Sequence, residues 1–145
     1  MKTVFFLIAL IAFGNAYSQD KDTMEKRAKA LVEALNSGDK AKYKKFIEEN
    51  YTVELINRKM HQKIEGGAAP AQTQTADADA LTSKVNMFER FHQDLGTGKI
   101  TSIKQDGDKI KMDVAGGMQL SFTLGYAKES PHLINSLGVT AEAGN

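Results

Sequence analysis

The sequence contains no cysteine and no tryptophan, and only two of its 145 residues are proline. Without cysteine there is no disulfide framework, no thiolate metal site, no cysteine nucleophile and no cysteine for a lipid anchor. A chain of this length corresponds to one domain and buries enough apolar surface to fold without covalent cross-links. The sequence also shows no metal-ligand spacing and no glycine-rich phosphate loop, so we predict neither a metal nor a cofactor.

The sequence also lacks an excess of charge of either sign, because 19 lysine and arginine residues are nearly balanced by 18 aspartate and glutamate residues. A basic run at residues 40–45 is followed by Glu48 and Glu49, which lie four residues beyond Lys44 and Lys45. This spacing is typical of a solvated helix face with paired charges. We therefore expect no nucleic-acid partner.

The amino-terminal segment has the pattern of a secretory signal peptide. Lys2 precedes an unbroken apolar run at residues 4–13, and small and polar residues follow at 14–18. The apolar run is about half as long as a bilayer span requires. We predict that residues 1–18 direct export and are removed.

Small residues suited to the −3 and −1 positions of a cleavage site are Ala16 and Ser18, which predicts cleavage before Gln19. Cleavage after Ala16 is nearly as good. The mature domain, residues 19–145, loses the charge of Lys2 and is formally neutral. We expect it to be periplasmic or secreted, with no membrane attachment after cleavage.

Helical patterns open the mature chain. Asp22 or Thr23 is placed to cap a helix that runs to Asn36 and stops at Gly38. Its apolar face is expected to hold Met24, Ala28, Leu31, Val32 and Leu35.

Two shorter helices are expected next. Asp39 can cap residues 40–50, whose apolar residues are Ala41, Tyr43, Phe46 and Ile47. A third helix is predicted within residues 53–64, where one side would carry Val53, Ile56 and Met60.

The stretch at residues 65–83 interrupts the helical period. Its one large apolar residue is Leu81, so it buries too little apolar surface to offset its ordering entropy. We interpret it as a flexible insertion rather than a lid, because a lid normally carries aromatic or charged groups that touch a ligand. The helical period resumes at Lys84 and ends at Gly96, with one face formed by Val85, Phe88, His92 and Leu95.

Strand character replaces helical character after residue 98. Candidate strands cover residues 99–105, 109–115, 118–126 and 133–140, and the turn pairs Asp106-Gly107 and Gly116-Gly117 suit antiparallel neighbours. The pattern predicts an α+β fold, in which three to four N-terminal helices pack on a curved antiparallel sheet of about four strands. Alternation places two sets on the core face: Ile110, Met112 and Val114, and Met118, Leu120, Phe122 and Leu124.

This order of elements resembles the nuclear transport factor 2-like superfamily, which includes SnoaL-like proteins and ketosteroid isomerases. The residues that carry the resemblance are Ala30 to Asp39 (ALVEALNSGD), Phe46 to Asn50 (FIEEN), Met87 to Gly96 (MFERFHQDLG) and Leu133 to Val139 (LINSLGV). The last three are similar to a small domain found ahead of secreted serine hydrolases or proteases in Bacteroidota. These are packing and capping residues, and they say little about activity.

The resemblance implies a cone-shaped fold with an apolar pocket between helices and sheet, commonly dimeric through the sheet. Enzymes of the superfamily place an acid or histidine in that pocket, whereas many relatives only bind ligands or regulate an attached enzyme. Candidate pocket residues here are Tyr43, Phe46, Phe88, His92, Met112, Leu120 and Phe122.

The weak catalytic candidates are His92 and Asp113. His92 falls on or beside the apolar face of its helix, where a half-buried structural histidine is the commoner case. Asp113 alternates with core residues and should lie on the polar face of the sheet, away from a pocket. His61, His92 and His132 show no ligand spacing, which argues against a zinc site.

Taken together, these features favour an exported, non-catalytic module that binds a small apolar ligand or a protein. One alternative is a small isomerase or cyclase that uses a pocket histidine or aspartate. Another is an accessory domain for a separately encoded secreted hydrolase. A homodimer through the polar sheet face is expected as well.

Overall fold

The computed structural model describes residues 5–59 and 78–142. Four helices come first, namely α1 (Phe5–Asn36), α2 (Lys40–Asn50), α3 (Val53–Asn57) and α4 (Ala78–Leu95). Four strands follow, namely β1 (Lys99–Asp106), β2 (Lys109–Ala115), β3 (Gln119–Tyr126) and β4 (Ile134–Glu142). The strands form one curved antiparallel sheet in the order β1-β2-β3-β4. The expected α+β architecture with N-terminal helices is confirmed.

Strand alternation separates a buried face of the sheet from a polar one. Met112 pairs with Phe122, and Phe122 pairs with Val139 on the next strand, so these side chains share the inner face. Successive residues on a strand point to opposite faces, and the outer face therefore carries Asp113. There the Ser121 hydroxyl donates a 2.5 Å hydrogen bond to the Asp113 carboxylate.

An aromatic cluster joins the helices over the inner face. Phe88 on α4 lies at its centre, with ring centroids 5.7 Å from Tyr43, 5.8 Å from Phe46 and 6.3 Å from Tyr51. Phe91 links the cluster to Phe122 of β3 at 5.9 Å. Edge and tilted contacts at these distances are favourable for aromatic rings, so the cluster holds α2 and α4 on the sheet.

Side-chain caps and terminal glycines set several of the helix boundaries. The Asp39 carboxylate accepts a hydrogen bond from Ala41 N at 2.8 Å, which confirms the cap of α2. Thr52 caps α3 in the same way by accepting from Leu55 N at 3.2 Å. Gly38 and Gly96 have φ of +64° and +60°, as expected where a helix ends in the left-handed region.

Two helices begin earlier than the sequence pattern predicted. α1 runs through Asp22 and Thr23 without a break, because the preceding leucine, isoleucine and alanine residues are compatible with a helix. α4 begins at Ala78, since alanine and leucine favour a helix and Asp79 lies in its first turn, where a negative charge is stabilising. Residues 78–83 therefore belong to α4. The rest of the expected insertion, 65–77, lies outside the described residues.

Three apolar residues expected in the core lie at the surface. Val53 and Met118 are each 43% exposed, and Ala41 is exposed on α2. In α3 the buried positions are Leu55 and Ile56, while the third residue expected on that side, Met60, lies outside the described residues. Met118 precedes β3, because the β2–β3 ladder closes at the pair formed by Ala115 and Gln119. None of the helices among the described residues is long and apolar enough to span a membrane.

Candidate functional site

A cleft of about 230 Å³ opens between α3, α4 and β4. We call it the cationic cleft. Its apolar lining residues are Leu55, Met87 and Leu137, and its polar ones are Tyr51, Arg58, Lys59, Lys84 and Ser136. Three of the eight are cations and none is an acid.

The walls of the cleft are tied together through the end of α2. Tyr51 forms a parallel bridge with Ile134, and Thr52 N donates to Ile134 O at 2.9 Å. These bonds hold the start of β4 beside the segment that leads into α3. Tyr51 and Leu137 are thereby brought to one site although 86 positions separate them in the sequence.

Lys84 projects from α4 into this cleft and is only 4% exposed. Its ammonium donates a 2.7 Å hydrogen bond to the carbonyl of Arg58, the residue that caps α3. No carboxylate lies within ion-pair distance of Lys84 in residues 5–59 and 78–142. Burial, and then the charge of Arg58, lower the pKa of Lys84.

Tyr51 contributes a second buried polar group. Its side chain is 3% exposed, and within the part of the chain that the structure describes its hydroxyl has no hydrogen-bond partner. Burial, and then the neighbouring Tyr126, raise the pKa of Tyr51, so this phenol stays protonated at neutral pH. A buried hydroxyl without a hydrogen-bond partner costs free energy.

The cations of the cleft lack the ion pairs that several lysines of α1 and α2 form. On α2, Lys44 and Lys45 lie 3.9 Å from Glu48 and Glu49, in the pairing expected from the sequence. Arg58 and Lys59, by contrast, form no ion pair with any residue in the described ranges. The cleft therefore concentrates positive charge that the fold itself does not neutralise.

A second cleft, of about 190 Å³, lies where the early part of α1 meets the β1–β2 turn and the β3–β4 loop. It contains Asp20, Asp108, Lys128 and His132, so its charges are mixed. The His132 ring contacts the Asp20 carboxylate at 3.0 Å and the Ala127 carbonyl at 2.9 Å. These contacts use the polar groups within the protein and leave less for a ligand.

The residues predicted to line a pocket lie together in the core. Neither cleft is lined by any of the following buried side chains: Tyr43, Phe46, Phe88, Met112, Leu120 and Phe122. His92 is half-buried beside Gly38, and its Nδ1 has no hydrogen-bond partner among the described residues. Asp113 lies on the outer face of the sheet, bonded to Ser121. His92 and Asp113 are thus not brought together.

Metal binding receives no support from the described residues, in which no group of three potential ligands converges. His61, one of the three histidines in the sequence, lies outside them. His92 and His132 belong to separate parts of the fold, on α4 and in the β3–β4 loop.

The role of Lys84 was not predicted from the sequence, although a signal for it was present. Lys84 lies three residues after Leu81 and four before Phe88, so it occupies the apolar face of α4. A lysine on such a face either extends its amine to water or meets a buried acceptor. Tyr51 was the weaker candidate for a pocket phenol, because an aromatic residue near a helix end is ordinarily core with its hydroxyl at the surface. The structure buries the hydroxyl as well.

Comparisons with family models, with curated proteins and with solved structures give no match for this chain.

Proposed function

We propose that this protein is an exported, non-catalytic binding module that holds a small ligand in the cationic cleft. The observation that carries the proposal is Lys84, which lines the cleft, is only 4% exposed and has no carboxylate within ion-pair distance in the described residues. The volume of the cleft, about 230 Å³, lies just below the range of about 300 to 1,000 Å³ that is typical of pockets for drug-sized ligands. The cleft therefore suits a small molecule.

The character of the lining favours binding over catalysis. Neither of the catalytic candidates, His92 and Asp113, lines the cleft. Tyr51 is a poor general base because the raised pKa of its phenol keeps it protonated. Lys84 is engaged by the Arg58 carbonyl. A binding role uses the protonated Lys84 ammonium as a hydrogen-bond donor, whereas an isomerase needs a group that takes up a proton from its substrate.

A titration of the mature chain, residues 19–145, followed by amide NMR tests this proposal. Three eight-carbon probes that differ only in their head group are added separately: octanoate, octanamide and octylammonium. We expect at least one to shift the amide signals of Leu55, Met87 and Leu137 and to leave those of Lys111 and Thr123 on the outer sheet face unchanged. Absence of shifts at the cleft with all three probes at about 10 mM, above a millimolar Kd, would contradict the proposal.

Export is tested independently of binding. The protein recovered from the periplasm or culture medium is expected to begin at Gln19, or at Tyr17 if cleavage follows Ala16. A chain that retains Met1 and remains inside the cell would exclude export. Accessory action on a secreted hydrolase is a separate proposal, carried by the sequence resemblance, and a hydrolysis rate that is unchanged by the mature protein would remove it.

A homodimer through the outer sheet face is also a proposal. Within residues 99–141 that face presents lysine, threonine, serine and Asp113, with no large apolar side chain on β2 or β3. Stable interfaces usually have an apolar core, so such a dimer would rest on polar contacts and be sensitive to salt. A monomeric mass in sedimentation at micromolar concentration would contradict it.

A further inference from the structure

We infer that the cationic cleft recognises a carboxylate attached to a short apolar body, a step that rests on the proposed function and names its ligand class. Three observations meet at this site. They are a buried lysine without a carboxylate partner among the described residues, two further cations without an ion pair there, and an apolar wall beside them.

Lys84 supplies the main reason for an anion. Its ammonium carries three N–H donors, and the described residues accept one of them, at the Arg58 carbonyl. A buried cation is costly unless it is paired and hydrogen-bonded. A carboxylate in the cleft would accept from the remaining donors and offset the charge.

Arg58 and Lys59 strengthen this preference. Both line the cleft, and neither forms an ion pair within residues 5–59 and 78–142. The positive potential of three cations without an acid attracts an anion and repels an ammonium. Arg58 is also suited to a carboxylate, because its planar guanidinium can donate two parallel hydrogen bonds.

Tyr51 lines the same cleft, and its buried phenol has no hydrogen-bond partner among the described residues. A protonated phenol donates a hydrogen bond to an oxygen acceptor, and the raised pKa of Tyr51 keeps it in that form. A carboxylate has two oxygens with several lone pairs, enough for an ammonium and a phenol together.

The remaining lining residues define the rest of the ligand. Leu55, Met87 and Leu137 present aliphatic surface to the cleft. Methionine is unbranched and adapts to irregular shapes, so Met87 tolerates more than one apolar body. A short-chain or medium-chain carboxylic acid combines the two features that the cleft offers.

The test compares dissociation constants of the matched probes. We expect octanoate to bind about tenfold more tightly than octanamide, as a hydrogen bond to a charged group provides, and octylammonium not to bind. Lys84→Met keeps the aliphatic stem and removes the charge. It should weaken octanoate about tenfold and leave octanamide unchanged. Lys111→Met, on the exposed outer face of the sheet, is the matched control and should alter neither.

The outcomes distinguish a wrong ligand class from a wrong proposed function. If octanamide binds at the cleft as tightly as octanoate, the cleft binds by apolar contact alone and the inference is wrong, while the proposed function stands. If no probe shifts the cleft signals, both are wrong.

A second pair of measurements does not depend on the folding of the Lys84 variant. Octanoate affinity of the unaltered protein should fall as sodium chloride is raised, whereas octanamide affinity should stay constant. The exposed Arg58→Gln should weaken octanoate and spare octanamide. An octanoate affinity that is insensitive to both salt and Arg58→Gln would overturn the inference.

Discussion

Asn36 and Gly98 exchange two hydrogen bonds, although 62 positions separate them in the sequence. The Asn36 amide donates to Gly98 O at 2.8 Å, and Gly98 N donates to the Asn36 side-chain oxygen at 2.7 Å. The pair joins the end of α1 to the residue before β1. A Cβ at Gly98 would lie 2.5 Å from Leu95 Cδ2 and 2.7 Å from Val114 Cγ1, so the position requires glycine. The first helix and the first strand are thus fixed to each other at one point.

Removal of the Asn36 amide should destabilise the protein. Asn36→Ala leaves the Gly98 N–H and carbonyl without their partners, and we expect the free energy of unfolding to fall by about 1 to 3 kcal/mol. Urea denaturation followed by circular dichroism measures this change. Asn86→Ala, at an exposed position of α4, is the control and should change stability by less than about 0.5 kcal/mol. Equal losses in the two variants would show that the pair has no special role.

Loss of the hydroxyl should lower the free energy of unfolding at the buried Tyr126 but not at the buried Tyr51. Tyr126 donates to Met24 O at 2.9 Å and ties β3 to α1, so Tyr126→Phe should cost about 1 to 3 kcal/mol. The Tyr51 hydroxyl has no partner among the described residues, so Tyr51→Phe should leave stability unchanged or raise it. Thermal and urea unfolding of both variants provide the comparison. A loss for Tyr51→Phe as large as for Tyr126→Phe would mean that the Tyr51 hydroxyl is satisfied in the free protein.

The sheet was the part of the fold most fully predicted from sequence. The bounds of β2 agree at both ends, because apolar and polar residues alternate without interruption from Lys109 to Ala115. Asp39 was identified as a cap because its side chain acts on a neighbouring amide. Such local interactions can be predicted from the sequence, since the interacting groups lie within a few positions of each other.

The cationic cleft was not predicted, because it depends on contacts between distant segments. Its lining combines residues 51–59, 84–87 and 136–137. The Tyr51–Ile134 bridge and the hydrogen bond from Thr52 N to Ile134 O bring the first and last of these together. Six of the seven predicted pocket residues are buried in the core, and the seventh, His92, is half-buried. Periodicity shows which side of a helix or strand is buried, and it does not show whether the space between two buried sides is filled.

The first 18 residues should be dispensable for folding of the mature domain. In the described side chains of α1, the buried face begins at Met24, so the chain that starts at Gln19 should unfold in one cooperative transition. A chain that starts at Glu25 loses the Met24 side chain and the carbonyl that binds Tyr126, which should cost about 2 to 5 kcal/mol. Asp20→Asn, which weakens a partly exposed contact with His132, should cost less than about 1 kcal/mol. A non-cooperative transition for the Gln19 chain would contradict this boundary.

The composition of residues 66–75, which contain no charged or aromatic residue, predicts that this stretch does not contribute to binding. Its replacement by a four-residue glycine-serine linker should change the free energy of unfolding by less than about 1 kcal/mol, because closure entropy varies slowly with loop length. The octanoate dissociation constant should remain within about twofold of its original value, a change worth less than about 0.5 kcal/mol. A large loss of affinity with unchanged stability would identify the stretch as a lid.

Octanoate binding should weaken at a lower pH than the pH at which an ordinary lysine loses its proton. Burial and the charge of Arg58 lower the pKa of Lys84 from 10.5, and only its protonated form pairs with a carboxylate. Affinity should therefore be constant near neutral pH and fall as pH rises through this lowered pKa.

The control for this pH dependence is Lys84→Met, in which the decline at the lowered pKa of Lys84 should be absent. The bound carboxylate favours the charged ammonium, so binding should also raise the pKa of Lys84 and take up protons in the alkaline range. Titration in buffers of different ionisation enthalpy measures that uptake. Identical pH profiles for the original protein and Lys84→Met would show that Lys84 does not contact the ligand.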